Sequence, residues 1–149
     1  MKQVECIVFR KKDNTYEFLL LKRKPQEGDF WQPICGNVEK HERLIDAAYR
    51  ELLEESNIKK KDIVRIIPNV YVFIVRKHHI IGEPLPYKIT EYVFGIEVQP
   101  SVNVSIQNNP HKEHEQFKWV SFKEALDLLK WEDNKKAFIK LYSLLNEQG

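Results

Sequence analysis

Apolar and polar residues near the start of the chain follow the short period of β-strands. The segments "VECIVFRK" and "YEFLLLKRK" are rich in β-branched and aromatic residues, and the polar turn "KDNT" separates them, which is typical of a β-hairpin. After the loop "PQEGD", the segment "FWQPICGNVE" is a short apolar run interrupted by Pro33 and Gly36. The pattern therefore predicts a sheet that includes this hairpin and a further short strand.

The period changes to that of a helix from Leu44 to Asn57, where apolar residues recur three or four positions apart. The segment "SFKEALDLLKW" opens with a Ser cap and keeps the helical period, and "NKKAFIKLYSLLNEQG" predicts a last helix. The segments "DIVRIIPNVYVFIVRK", "KITEYVFGIEVQ" and "FKWV" predict strands. Because these elements do not form a regular βαβ repeat, we expect an α/β sandwich with a mixed sheet between helices.

Composition and charge limit the classes of protein to consider. A chain of 149 residues with 42% hydrophobic and 31% charged residues fits one globular domain, residues 1–149. The formal charge of +2 gives no overall field that would attract DNA, RNA or a membrane surface. No signal sequence is evident, and no apolar run approaches the roughly 20 residues that a membrane-spanning helix needs. We therefore expect a cytoplasmic protein. Cys6 and Cys35 lie in predicted strands without CxxC spacing and are expected to be reduced and inert.

Carboxylates occupy one face of the first predicted helix. Glu51 and Glu55 stand one above the other with Glu54 and Arg50 beside them, whereas Leu52 turns toward the sheet. Like charges at this spacing cost a few tenths of a kcal/mol per pair on a bare helix, and a bound divalent cation would reverse that cost. Oxygen ligands alone favour Mg²⁺ or Mn²⁺ over Zn²⁺. Taken alone, the segment is also compatible with an ordinary solvated helix face.

The spacing of these residues resembles the Nudix box, G-x5-E-x7-R-E-U-x-E-E-x-G-U. The matching positions are Gly36, Glu42, Arg50, Glu51, Leu52, Glu54, Glu55 and Ile58. Asn57 replaces the usual Gly, and we expect the fold to tolerate it because Asn adopts the left-handed backbone more readily than most residues. The resemblance covers most of the chain and implies the Nudix fold, an α/β/α sandwich, and a hydrolase of phosphoanhydride bonds.

Further segments look like one branch of this family. "FWQPICGNVEKHE", "TEYVF", "EHEQFKWV" and "WEDNKKAF" are similar to the branch that contains dihydroneopterin triphosphate pyrophosphatase, whose members are also described as dATP pyrophosphohydrolases. The resemblance implies attack of water on phosphorus with the help of Mg²⁺ or Mn²⁺, yielding a monophosphate and pyrophosphate.

Three alternatives to this function stay open. Dinucleoside polyphosphates or ADP-ribose are the alternative substrates within the same class. A nucleotide-sensing module without turnover is the alternative from another class, although such modules typically lose box glutamates and Glu51, Glu54 and Glu55 are all present. An RNA-processing role would call for a basic stripe or an RNA-binding domain, and the sequence shows neither clearly.

The resemblance also implies roles for the residues of the box. Glu51 and Glu55 are the expected metal ligands, and Glu54 is either a further ligand or the group that polarises water. The carbonyl of Gly36 commonly completes such a ligand set. Arg50 is expected to orient the carboxylates rather than to touch the substrate.

A further carboxylate from outside the box usually joins the site in this family. In "HKEHEQFKW" the first candidate is Glu113 and the second is Glu115. Glu42 is a secondary candidate that bonds with Arg50 or helps through a water, or else a simple acidic residue near a helix start. His111 and His114 are expected to be solvated loop residues, and zinc is disfavoured because they have no cysteine partners nearby.

The expected substrate is a small nucleotide or pterin triphosphate, bound by a monomer or a homodimer. Basic residues at the end of the second strand are candidate phosphate contacts: Arg23, Lys22 and Lys24. Aromatic and amide residues are candidates to frame a base or pterin ring: Phe30, Trp31, Gln32, Trp131 and Asn134. Core packing is the competing interpretation for the aromatic residues, and solubility is the competing interpretation for the basic ones.

Overall fold

The predicted N-terminal hairpin forms, and its two strands become the middle of a mixed sheet. The computed structural model of the chain describes residues 1–78 and 81–147, and within these ranges it contains seven strands and three helices. The strands are β1 (Lys2–Lys12), β2 (Thr15–Arg23), β3 (Trp31–Gln32), β4 (Ile34–Asn37), β5 (Ile63–Lys77), β6 (Pro84–Val98) and β7 (His114–Val120). The helices are α1 (Leu44–Ser56), α2 (Phe122–Leu128) and α3 (Glu132–Glu147). Gln148 and Gly149, which end the predicted last helix, lie outside the described residues.

The hairpin strands separate beyond their shared turn, and two short strands fill the gap. β1 and β2 pair only between Phe9–Lys12 and Thr15–Phe18. Beyond that point β4 pairs with β1 and β3 pairs with β2. The run "FWQPICGNVE" therefore forms two strands on different partners instead of the single strand expected. Pro33 lies between them, since proline lacks the N–H that a ladder requires.

One parallel pair makes the sheet mixed. β1 runs parallel to β6, from Lys2 opposite Thr90 to Phe9 opposite Glu97. The remaining pairs among the described strands are antiparallel, with β7 on the outer side of β2 and β5 on the outer side of β6.

Each face of the sheet has its own apolar cluster because successive residues of a strand point to opposite sides. One cluster joins even-numbered residues of β1 to α1: Val4, Cys6, Val8, Ala47, Ala48 and Leu52. The other joins odd-numbered residues of β1 to α2 and α3: Ile7, Phe9, Ala125, Ala137, Phe138 and Leu141. Full burial of a side chain such as Phe138 stabilises the fold by about 1.5–3 kcal/mol. The sheet thus lies between helices, which confirms the predicted α/β/α sandwich.

The ends of the helices follow the sequence signals. Asn57 ends α1 with φ 60° and ψ 22°, the left-handed conformation expected of it, and its N–H bonds the carbonyls of Leu52 and Leu53. Ser121 caps α2 by accepting a hydrogen bond from the backbone N–H of Glu124 at 3.1 Å. These caps satisfy backbone groups that a helix end leaves without partners.

The two cysteines are free thiols, with Cys6 buried and Cys35 half-buried. Burial raises the pKa of both thiols well above the usual value, which disfavours the reactive thiolate. Among the described residues, no helix is long and apolar enough to cross a membrane.

Candidate metal and substrate site

Helix α1 buries two of its glutamates beside β4. Glu51 is 7% exposed and Glu55 is 1% exposed, although charged side chains are rarely buried without partners. Both carboxylate oxygens of Glu55 are buried without a hydrogen-bond partner among the described residues. A divalent cation carries positive charge and prefers oxygen ligands, so it would supply the partner that these two oxygen atoms lack. The residues present therefore fit a divalent cation.

A second group of side chains reaches Glu55 from the start of β7. Glu55, Glu113 and His114 each offer one potential ligand atom, and these atoms lie within 4.8 Å of one another. Glu113 is held in place because its carbonyl accepts from the Lys24 N–H at 2.9 Å, while Arg23 Nη2 lies 3.4 Å from Glu113 Oε2. Glu113, the carboxylate expected from outside the Nudix-like box, therefore lies close to Glu55 of the box.

His114 is not the solvated loop residue that was expected. It is 5% exposed because it is the first residue of β7, and that expectation is wrong for this histidine. Burial, with a smaller effect of Arg23, lowers the pKa of His114 to about 3, so its ring is neutral at physiological pH. Its Nε2 lies 2.9 Å from Gln32 Nε2, and its Nδ1 is buried without a partner among the described residues. His111 is exposed, as expected.

The buried glutamates hold their protons more tightly than ordinary carboxyl groups. Burial raises the pKa of Glu51 to about 7 despite the opposing charge of Arg50. Burial also raises the pKa of Glu55 well above its usual value, and the neighbouring charges of Glu51 and Glu113 add to the effect. A cation bound between such groups would favour their charged forms.

Arg50 ties the acidic residues of the site together. Its Nε and Nη2 donate to the two carboxylate oxygens of Glu42 at 2.9 and 3.0 Å, a bidentate pair. Its Nη1 donates to Glu51 Oε1 at 2.8 Å and lies 3.5 Å from Glu54 Oε2. Its Nη2 also donates to the carbonyl of Asn37 at 2.8 Å. Arg50 thereby fixes the orientation of Glu51 and joins α1 to the end of β4.

Gly36 leaves the space that the Glu51 carboxylate occupies. A Cβ atom placed on Gly36 would overlap with the carboxylate carbon and both oxygens of Glu51. The requirement for glycine is therefore one of close approach between β4 and α1, and a positive φ is not involved. The expected role of its carbonyl as a ligand stays a prediction.

A cavity of about 980 Å³ extends from this acidic site to the first turn of α3. Its lining at the acidic end includes Arg23, Gly36, Arg50, Glu51 and Glu113. Its lining at the far end includes Phe30, Glu91, Trp131 and Asn134, whereas Gln32 lies beside His114 near the acidic end. Among these described residues, the acidic end thus has no aromatic wall, and the far end combines aromatic rings with the carboxyl group of Glu91 and the amide of Asn134.

The family follows from a match that spans most of the chain. The family model described as NUDIX domain matches residues 1–142. The chain belongs to the Nudix family. This confirms the predicted family and the class of Nudix hydrolases, and with it the fold.

Curated relatives of this Nudix chain have different names. An octanoyltransferase of Myxococcus xanthus is 32% identical over 130 residues, and the match covers 87% of this chain but only 33% of that protein. An RNA pyrophosphohydrolase of Pelagibacter ubique is 28% identical over 131 residues, covering 83% of this chain and 78% of that protein. The chain therefore spans about a third of the length of the first relative.

Solved structures with the same fold cover nearly the whole chain. A protein of Listeria monocytogenes named as a NUDIX hydrolase has a TM-score of 0.82 at 29% identity, covering 99% of this chain and 96% of that one. The Ap4A hydrolase of C. elegans has a TM-score of 0.78 at 21% identity, with 98% of each chain covered. The dihydroneopterin triphosphate pyrophosphohydrolase of E. coli has a TM-score of 0.75 at 22% identity, covering 95% of this chain and 94% of that one. The last two likenesses concern the fold alone.

Two residues expected at the site of this Nudix chain lie apart from it. Trp31 is not among the cavity-lining residues, because β-strand alternation sends Phe30 and Gln32 to the cavity and Trp31 toward the cluster under α2 and α3. Glu115 is exposed, and its Oε1 lies 2.6 Å from Lys22 Nζ. It is not part of the group formed by Glu55, Glu113 and His114.

Sequence reasoning also missed the buried acidic pair Glu5 and Glu91. Glu5 has no exposed surface and Glu91 is 5% exposed. A signal was available, since each glutamate interrupts an apolar strand, in "VECIVF" and "TEYVF". Glu5 shares the period of the buried residues Ile7 and Phe9, so alternation alone would have placed its side chain inside.

Proposed function

We propose that this Nudix chain hydrolyses a (deoxy)nucleoside triphosphate or dihydroneopterin triphosphate to the monophosphate and pyrophosphate, with Mg²⁺ or Mn²⁺ as cofactor. The observation that carries the proposal is Glu55, whose two carboxylate oxygens are buried without hydrogen-bond partners among the described residues, near the charges of Glu51 and Glu113. A cavity lined by Glu51 and Glu113 at its acidic end extends to the aromatic rings of Phe30 and Trp131. A substrate with a polyphosphate at one end and a flat ring at the other would place the polyphosphate at the acidic end, through the cation, and the ring between the aromatic side chains.

Glu51, Glu55 and Glu113 would hold the cation, with the Gly36 carbonyl as a further oxygen ligand. When bound, the cation would neutralise charge on the polyphosphate and on the oxygen that leaves. Glu54 is the candidate to take a proton from the attacking water, because its side chain is 28% exposed and reaches solvent. Arg50 keeps Glu51 oriented through the hydrogen bonds described above.

The substrate-binding role falls to the remaining lining residues. Arg23 lies beside Glu113 at the acidic end, where it can contact a phosphate oxygen. Phe30, Trp131 and Asn134 would surround the ring at the far end, and Gln32, beside His114, would contact the substrate nearer the acidic end. The fold shared with the E. coli dihydroneopterin triphosphate pyrophosphohydrolase is compatible with this substrate class, and the sequence segments resembling that branch favour it.

Other substrates compete within the same chemistry. The fold shared with the C. elegans Ap4A hydrolase keeps dinucleoside polyphosphates as the alternative, together with ADP-ribose. The relative named RNA pyrophosphohydrolase makes a 5′-triphosphate RNA a necessary comparison. The near-neutral charge of +2 favours a small molecule. The cytoplasmic location, the single domain and the monomeric or dimeric state stay predictions from the sequence.

A substrate panel tests the proposal. Purified protein with Mg²⁺ is given dihydroneopterin triphosphate, dNTPs, NTPs, ADP-ribose, diadenosine polyphosphates and a short 5′-triphosphate RNA, and products are identified by ³¹P NMR. We expect pyrophosphate and a monophosphate from a small triphosphate, and turnover lower by roughly a hundredfold or more in the Glu55→Gln variant. Fastest turnover of a dinucleoside polyphosphate or of the RNA would replace the substrate assignment. Binding without any turnover would favour the nucleotide-sensing alternative.

A further inference from the structure

The far end of the cavity contains buried carboxyl groups that the hydrolytic proposal does not use, next to the amide of Asn134. Glu91 on β6 and Asn134 in the first turn of α3 line the cavity and are 5% and 8% exposed. Glu5 lies behind them without exposed surface, and its Oε1 accepts a hydrogen bond from Asn134 Nδ2 at 2.5 Å. In the parallel pairing of β1 with β6, Gln3 lies opposite Glu91. Glu5 and Glu91 therefore lie on the α3 face of the sheet, opposite to α1.

The two glutamates have no cationic partner in the part of the chain that the structure describes. Neither forms an ion pair there, and Glu5 Oε2 is buried without a hydrogen-bond partner. Burial, followed by the nearby Glu91 carboxyl, raises the pKa of Glu5 well above its usual value. Burying two carboxyl groups side by side without a cation costs stability. A cost of this kind in a cavity wall indicates a role in binding.

Apolar and aromatic side chains form the cavity walls around Glu91 and Asn134. The rings of Phe30 and Trp131 meet edge to face with centroids 5.9 Å apart, and Lys130 Nζ lies 4.8 Å from the Trp131 ring centre. Ile89 and Phe73 also line the cavity. A planar heterocycle fits such a pocket, since its faces contact apolar groups and its edge meets the polar ones.

We propose that Glu91 and Asn134 select the ring of the substrate by binding a heterocycle edge that carries two adjacent N–H donors, with Glu5 as a positioning residue behind them. The inference rests on the proposed function, because the ring is the one attached to the hydrolysed triphosphate. The edge of guanine or of a pterin offers a ring N–H next to an amino group, and one carboxylate accepts from both. Adenine offers an amino group next to a ring nitrogen acceptor, which would oppose a carboxylate oxygen. Guanine and pterin rings are therefore favoured over adenine.

Hydrolysis of dGTP and dATP with Mg²⁺ tests this selection. We expect the wild type to favour dGTP in kcat/KM by roughly tenfold or more, the size of one bidentate recognition. Glu91→Gln should remove most of that preference, chiefly through a higher KM for dGTP, because the amide can accept only one of the two N–H donors. The matched control is Glu97→Gln, since Glu97 has the same 5% exposure on the same strand but pairs with Arg65 at 2.7 Å. It should keep the preference.

The positioning role of Glu5 has its own readout. Glu5→Gln keeps an acceptor for Asn134 and should retain the preference for dGTP, whereas Glu5→Leu removes the acceptor and should lose it. A purely structural role would change stability in both variants and leave the ratio of the two substrates unaltered. Equal loss of the ratio in both variants would also contradict the role.

Binding of guanosine and adenosine to metal-free protein separates this inference from the proposed function. We expect guanosine to perturb Trp131, followed by tryptophan fluorescence or NMR, at roughly tenfold lower concentration than adenosine, and Glu91→Gln to abolish the difference. This measurement needs no turnover, so it stands if no triphosphate is hydrolysed. Equal binding of the two nucleosides, or an unchanged difference in Glu91→Gln, would overturn the inference even if triphosphates are cleaved to pyrophosphate.

Discussion

Glu55 is the single residue on which the proposed metal site depends most. Glu55→Gln keeps the shape of the side chain and removes the charge that a cation needs. If Glu55 holds the proposed cation, its charge would contribute several kcal/mol to binding the cation and stabilising the reacting phosphate, so we expect turnover to fall roughly a hundredfold or more. Steady-state assays with Mg²⁺, with circular dichroism to verify the fold, provide the measurement. Wild-type turnover by this variant would mean that the acidic face of α1 has no catalytic role.

Gly36 is required because a larger residue would occupy the space of the Glu51 carboxylate. In Gly36→Ala the added methyl group would overlap with the Glu51 carboxylate, so we expect both lower kcat/KM and a loss of roughly 1–3 kcal/mol of stability. Urea unfolding gives the stability. The control is the same substitution in a Glu51→Ala background, where the carboxylate is absent and most of the stability loss should disappear. An equal loss in both backgrounds would contradict this contact.

For single residues, the sequence predicted which charged side chains share a helix face better than it predicted which side chains become buried or closely packed. The spacing of Glu51 and Glu55 predicted that the two would share a helix face, and they do. The close approach of Gly36 to Glu51 depends on how β4 meets α1, which no local pattern encodes. The burial of His114 was missed for the same reason, because a histidine in a charged segment becomes buried only when β7 pairs with β2.

The end of α1 allows a test at the level of one element. Asn57 has a left-handed backbone with φ 60°, so Asn57→Ala should lose about 1 kcal/mol and Asn57→Gly should be close to neutral. For a chain of this size the loss corresponds to a melting temperature roughly 2–4 °C lower. Calorimetry measures it, and turnover at 25 °C should not change in either variant. A Gly variant as unstable as the Ala variant would contradict the cap.

Element types were predictable from the sequence, and partners were not. The hydrophobic period located the long strands and all three helices because burial on one face sets that period. The segment "FWQPICGNVE" was predicted as one strand, since its division depends on β1 and β2 separating to admit two short strands. That separation is a property of the whole sheet.

For the whole molecule, the buried carboxyl groups predict an unusual pH dependence. The pKa values of Glu51 and Glu91 are raised to about 7, from a usual 4.5, by burial, so the folded state binds protons that the unfolded chain has already lost. Metal-free protein should therefore lose stability as pH rises through 7. His114 acts in the opposite direction, but only below its ordinary pKa of 6.5. Between pH 6.5 and 8 the carboxyl effect should dominate.

Thermal melts in EDTA and in excess Mg²⁺ check this dependence. In EDTA the melting temperature should fall from pH 6.5 to pH 8, and Mg²⁺ should raise it more at pH 8, because the cation binds the deprotonated carboxylates. In the Glu55→Gln variant, Mg²⁺ should change the melting temperature little at either pH 6.5 or pH 8. A melting temperature in EDTA that rises over this interval, or a Mg²⁺ effect independent of pH, would contradict the buried acidic cluster.

The central claim is that the acidic end of the cavity directs water to an inner phosphorus of a triphosphate. The most direct test is hydrolysis of dihydroneopterin triphosphate or dGTP in ¹⁸O-labelled water with Mg²⁺, with products identified at early times by mass spectrometry. We expect pyrophosphate and the monophosphate in equal amounts, with the label on one of the two only, and no reaction when EDTA replaces Mg²⁺. Inorganic phosphate as the first product, with no early pyrophosphate, would place the attack on the terminal phosphorus and contradict the claim.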